Sequence, residues 1–123
     1  MIRTRKAAAT LLVAGTLGAL VGLAPQAFAK ATFVDANCFR AVGTSYLIWD
    51  GMSGYDNWYD NHLAIGLYYQ GTRKDYESVS GDGWNLRAYG DSRTGVTGGK
   101  KWYVDASAWN GSNPWIGARC YVT

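Results

Sequence analysis

Cysteine, proline and histidine are scarce in this chain, with two, two and one of them among 123 residues. A single histidine, His62, excludes any metal centre built on several imidazoles. A Ser-His-Asp set can be drawn around any lone histidine, so no nucleophile motif is specified. Nine acids are present, but no spacing marks a glycosidase pair. Helical periodicity is missing after residue 29, where no apolar stripe at helical spacing is sustained. No catalytic residues, cofactor or metal are therefore expected.

The one long apolar run lies at the N-terminus. "MIRTRK" carries Arg3, Arg5 and Lys6, "AAATLLVAGTLGALVGLA" follows, and "APQAFA" ends in Ala27-Phe28-Ala29. This is the layout of an export signal with a small-residue cleavage site. A membrane anchor is the rival reading, but Pro25 and the cleavage site favour removal. The expected division is residues 1–29 as signal peptide and 30–123 as a single secreted β domain. Removing 29 residues from 123 leaves 94, enough for one small domain. Removing three cations from 12 leaves nine against nine acids, a formal net charge of zero. Phosphate binding needs a basic excess, so nucleic acid is not an expected partner. No membrane contact is expected after cleavage, and a monomer is expected.

Cys38 and Cys120 sit near the two ends of the remaining chain. An even count in an exported protein reads as one disulfide, and a loop this long gives a bridge worth roughly 3–5 kcal/mol. The alternative is a pair of free thiols.

Glycines punctuate the chain about every ten residues, with β-branched and aromatic residues between them, which predicts short strands and turns. "ATFVDANCFRAV" is the first strand candidate. "GTSYLIWDGMSGYDNWYDNH" begins strand-like at Tyr46–Trp49 and then reads as loop. "LAIGLYYQG" alternates, with Leu63, Ile65, Leu67 and Tyr69 on one face. "TRKDYESV" and "WNLRAYG" read as further strands around the "SGDGW" turn, and "DSRTGVTGGK" as loop.

The C-terminal stretch is the most regular. Trp102, Val104, Ala106 and Ala108 alternate with Lys101, Tyr103, Asp105 and Ser107, and after the Asn110–Pro114 loop Ile116, Ala118, Cys120 and Val122 keep the same period. Folding the strands over that loop pairs Trp102 with Val122, Val104 with Cys120, Ala106 with Ala118 and Ala108 with Ile116 on the inner side. The outer side then pairs Tyr103 with Tyr121, Asp105 with Arg119, Ser107 with Gly117 and Trp109 with Trp115. Aromatic meets aromatic and acid meets base, and a one-residue slip would destroy both faces.

"AIGLYYQGTRKDYESV" and "VTGGKKWYVDASAWNGSNPWIGARCYV" together resemble bacterial SH3-like (SH3b) domains. The first matches their Ile/Val-Gly strand and Lys/Gln-Gly-Thr turn. The second resembles their C-terminal half, where a Trp-Tyr strand leads through a turn to Gly-Trp-Val and a final Tyr-Leu or Tyr-Val. The resemblance implies an all-β, small SH3-like barrel of about five to seven short strands. It places Cys38 on the first strand next to Cys120 beside the last, and a short 3₁₀ turn near "GARC". It also implies a peptidoglycan ligand. The family's Asn-Val-Arg-Ser-Gly-Pro stretch is replaced here by "YLIWDGMSGYDNWY".

Asp50, Asp56, Asn57, Asp60 and Asn61 cluster in sequence and offer calcium-type oxygens, but their spacing matches no EF-hand loop and a solvated loop is expected. Asn110-Gly111-Ser112 fits a glycosylation sequon. Tyrosine and tryptophan, nine and six in number, exceed what a small core can bury, so some must face solvent. Trp109, Trp115, Tyr103 and Tyr121, with Trp49, Trp58 and Tyr59, are the candidate ligand-binding residues. These features lead to an expected secreted, non-catalytic module for cell-wall or other extracellular polymer. The alternatives are a small secreted inhibitor of a hydrolase, with an extracellular protein as partner, or a secreted toxin.

Overall fold

A computed structural model describes residues 30–123. The expected signal peptide, residues 1–29, lies outside the described residues. Seven antiparallel strands follow one another: β1 (Ala31–Arg40), β2 (Leu47–Tyr55), β3 (Asn61–Tyr69), β4 (Thr72–Gly81), β5 (Asn85–Tyr89), β6 (Trp102–Asn110) and β7 (Ile116–Tyr121). They form a three-stranded sheet, β1-β2-β5, and a four-stranded sheet, β4-β3-β6-β7. The sheets pack face to face and are not closed into a barrel. The all-β class and the strand count thus agree with the sequence, while barrel closure does not occur.

Alternation builds the core. β3 turns Leu63, Ile65 and Leu67 inward, β6 turns Trp102, Val104, Ala106 and Ala108, and β2 turns Leu47 and Trp49. Each of these strands buries one face in the core, while on the other face of β3 and β6 Ala64, Gly66 and Asp105 are covered by neighbouring residues. Val96, in the connection before β6, is fully buried, and its amide donates to the Ser45 carbonyl at 3.0 Å. Leu47 and Arg93 exchange two backbone hydrogen bonds, so part of the "DSRTG" stretch is a strand-like extension of the smaller sheet.

The β6–β7 ladder runs in the expected register, from Tyr103↔Tyr121 to Ala108↔Ile116. The Val122 amide continues it by donating to the Trp102 carbonyl at 2.9 Å. Where the family resemblance implies a 3₁₀ turn at "GARC", β7 is a continuous strand, because the pairing with β6 satisfies its backbone throughout. Cys38 on β1 and Cys120 on β7 are bonded, with Cα atoms 5.9 Å apart. The bridge ties the margins of the two sheets, and β1 packs against β6 and β7 beside it.

The loop reading of the chain after Trp49 is corrected. β2 continues to Tyr55 as the central strand of its sheet, paired with β1 on one side and β5 on the other. Its glycines mark close approach rather than a turn. A Cβ at Gly51 would stand 2.4 Å from Ile65 Cγ2 of the opposing sheet, and one at Gly54 would meet the Phe33 ring.

Candidate functional site

The outer face of the four-stranded sheet is organised by cross-strand partners. His62 of β3 opposes Trp109 of β6, and Tyr68 opposes Tyr103. The His62 and Trp109 rings stack at 5.1 Å, and the Tyr68 and Tyr103 rings at 5.3 Å, each pair within 6° of parallel. These separations are close to the distance between neighbouring strands, so each pair stands as a short ridge across the sheet. Tyr121 of β7 extends the second ridge, 5.7 Å from Tyr103. Trp115, immediately before β7, lays its ring forward over Gly117, where a Cβ would stand 2.9 Å from Trp115 Cζ3.

His62 and Tyr68 are six positions apart on β3, roughly 20 Å along an extended strand. Between the ridges the side chains are small. Ala64, Gly66 and Ser107 line a groove of about 170 Å³ that reaches from Trp109 to Tyr68. The small residues follow directly from the sequence of β3, in which Ala64 and Gly66 occupy the outward positions between His62 and Tyr68.

One charged pair sits at the margin of this groove. The Arg119 guanidinium makes a fork with Asp105, through Nε to Oδ1 and Nη2 to Oδ2. It also donates to the Tyr121 hydroxyl at 3.2 Å and lies 4.2 Å from the Tyr103 ring centroid. The hydrogen bond to Asp105 holds the Arg119 pKa above its ordinary value, against a smaller opposing effect of burial. Arg119 therefore stays charged and keeps the second ridge in place.

The sequence candidates separate into three groups. Tyr103, Tyr121, Trp109 and Trp115 share this outer face, and Tyr121 is 45% exposed. Trp109 and Trp115 flank the loop beyond the last ladder pair rather than pairing with each other. Trp58 and Tyr59 lie in the β2–β3 connection, 43% and 66% exposed, and Trp58 meets Trp84 edge-on at 5.5 Å. Trp49 is a correction. It is 1% exposed, its indole N–H donates to the Asp91 carbonyl at 2.7 Å, and it forms the centre of the core rather than part of a ligand face. The inward parity of β2 and the empty position at Gly90 over its ring draw it in.

Buried Asn61 shapes the loops at the Trp58 end. Its side-chain amide donates to the carbonyls of Asn57 at 2.8 Å and Gly83 at 2.7 Å. Asn110 donates in turn to the Tyr59 carbonyl and to Asn61 Oδ1, at 2.6 and 2.7 Å. This places the sequon asparagine in the interior of the loop network.

The acidic residues that cluster in sequence are dispersed. Asp50 pairs with Arg87 at 2.9 Å and accepts from Asn37 on the far side of the smaller sheet. Asp56 accepts from the Lys30 amide, Asn57 from the Tyr59 amide, and Asp60 lies 2.9 Å from His62 Nε2. A different set, Asp75, Glu77 and Asp91, brings ligating oxygens within 4.8 Å of one another on the opposite side of β4 from the aromatic face.

Sequence reasoning did not find the β3–β4 part of the groove. Its signal was the Gln70-Gly71 pair, whose φ values of 47° and 88° make the primed hairpin turn that sets β4 beside β3. No family model, curated protein or solved structure matches the chain.

Proposed function

We propose that this protein is a secreted, non-catalytic module that holds an extracellular polymer, cell-wall glycan foremost, against the outer face of the β4-β3-β6-β7 sheet. The carrying observation is the pair of aromatic ridges separated by a floor of small residues. An extended polymer can lie across such a face with an aromatic contact at each end. Tyr and Trp suit this role because they offer large contact area with few rotors to freeze. The disulfide is compatible with an extracellular location.

A protein partner, as for a hydrolase inhibitor, is the second reading. It is favoured by the braced loop after β6, where the Asn113 amide donates to the Asn110 carbonyl at 2.9 Å and the Gly111 amide to the Asp60 carbonyl at 2.8 Å. A pre-organised loop loses little freedom on docking.

Pelleting the protein with washed cell walls and with other insoluble glycans, beside a protease and glycosidase inhibition panel, separates the two. Glycan retention that disappears in Trp109→Ala, Trp115→Ala while the thermal melt is kept supports the polymer reading. Loss of retention together with the melt, or inhibition without retention, rejects it.

A further inference from the structure

We propose that the groove contains a subsite for one acidic sugar unit, held between Tyr68 and Tyr76 with its carboxylate on Arg73. The inference rests on the polymer-binding reading above and names the unit that this face selects. Gly66 lies on the outer side of β3, and any other residue there would put a side chain into the groove. A Cβ at that position would stand 2.8 Å from Tyr68 Cε1, so the glycine is what lets the Tyr68 ring lean over the floor. Tyr76 is the direct partner of Gly66 across the β3–β4 ladder, so it stands beside the position that the Tyr68 ring covers.

The register of β4 then supplies the charge. Leu67 pairs with Asp75 but Tyr68 pairs with Arg73, so Lys74 is an inserted residue. The bulge returns Arg73 to the side that carries Tyr76. Its guanidinium lies 4.6 Å from the Tyr76 ring centroid. Arg87 and Arg119 are committed to Asp50 and Asp105, and Arg40 to the carbonyls of Thr44 and Thr123. Among the described residues, Arg73 has no ion pair. It is an exposed, forked donor set at the mouth of a cavity, the arrangement that matches a carboxylate. The only acid lining that cavity, Asp105, already accepts both arms of Arg119. A volume of about 170 Å³ suits a single ring with its substituents and not a longer segment. Tyrosine rings on two sides offer apolar faces to the C–H side of a sugar, and Ser107 offers a hydroxyl at the floor.

A uronic acid and a lactyl-substituted amino sugar both present this chemistry. Isothermal titration of the protein with tetragalacturonate, with the N-acetylglucosamine–N-acetylmuramic acid disaccharide, and with neutral chitotetraose tells them apart. At least one acidic probe is expected to bind about tenfold more tightly than chitotetraose, the size of a charge-assisted contact. Arg73→Gln is expected to remove that advantage, so that the acidic probe binds no more tightly than chitotetraose. Gly66→Ala is expected to weaken the acidic probe without changing the charge. Arg73 is exposed, so its variant tests the subsite even where Gly66→Ala folds poorly. If glycans bind but Arg73→Gln leaves the acidic preference intact, or no preference exists, the subsite is rejected and the ridge reading stands. If none of the probes and no insoluble glycan binds, both fall.

Discussion

Arg119 and Asp105 meet as a fork across β6 and β7, with Nη2 and Oδ2 2.9 Å apart, and the same guanidinium covers the Tyr103 ring. Asp105 is only 8% exposed, so its carboxylate depends on this partner. Arg119→Met is expected to cost about 2 kcal/mol by leaving it unsatisfied. The double variant Asp105→Asn, Arg119→Met should recover part of that loss. Urea midpoints of the single and double variants check both statements, and additive losses would show that the fork contributes nothing as a pair.

The disulfide joins β1 to β7 over a separation of 82 residues. Its removal in Cys38→Ala, Cys120→Ala should cost about 4 kcal/mol, by freeing the unfolded chain of a long closed loop. Denaturation with and without reductant measures it. An unchanged midpoint would mean that the packing of β1 on β6 suffices without the covalent link.

Trp49 and the outer-face tryptophans should behave in opposite ways. Trp49→Ala empties the core and is expected to cost about 4 kcal/mol. Gly90→Ala should also destabilise, by about 1–3 kcal/mol, since its Cβ would stand 2.0 Å from Trp49 Cε2 and that ring has no room to move. Thermal melts of both, set beside Trp109→Ala, separate the structural indole from the surface one.

Asn61→Ala should loosen the loop that carries Trp58 and Tyr59. The change removes the donors to Asn57 and Gly83 and leaves their carbonyls without this partner. A loss of about 2 kcal/mol is expected for a buried polar hub of this kind. Hydrogen exchange should show faster amides at residues 57–60 and 83, with the first half of β6 unchanged.

Burial raises the Tyr55 hydroxyl above its ordinary pKa of 10.0, against an opposing hydrogen bond with Ser53. The unfolded chain then ionises first. This contribution to stability is complete below about pH 10 and is lost as pH rises through the folded value. Tyr55→Phe should lower the melting temperature at neutral pH, because the 2.6 Å bond to the His62 carbonyl goes. It should also flatten the decline above about pH 10. Melting curves from about pH 8 to 11 test the sign.

The C-terminal hairpin was legible because both its strands alternate cleanly. Period two put Trp102, Val104, Ala106 and Ala108 inside, and the pairs Tyr103–Tyr121 and Asp105–Arg119 left one register that satisfied both faces. The start of β2 was legible for the same reason, but its second half was not. Gly51, Ser53 and Gly54 look like turn residues until the side chains of Ile65 and Phe33 are seen to fill their space.

The sequence by itself determined the strand class, the register of β6 on β7, and which aromatics of that hairpin point away from the core, because side-chain alternation is a local property of the chain. Only the tertiary structure decided that Trp49 is buried, that two sheets stack without closing, and that β4 lies beside β3 with a bulge at Lys74. Those outcomes depend on what packs over Gly90, Gly51 and Gly66, and an empty position in a sequence does not say which distant side chain will occupy it.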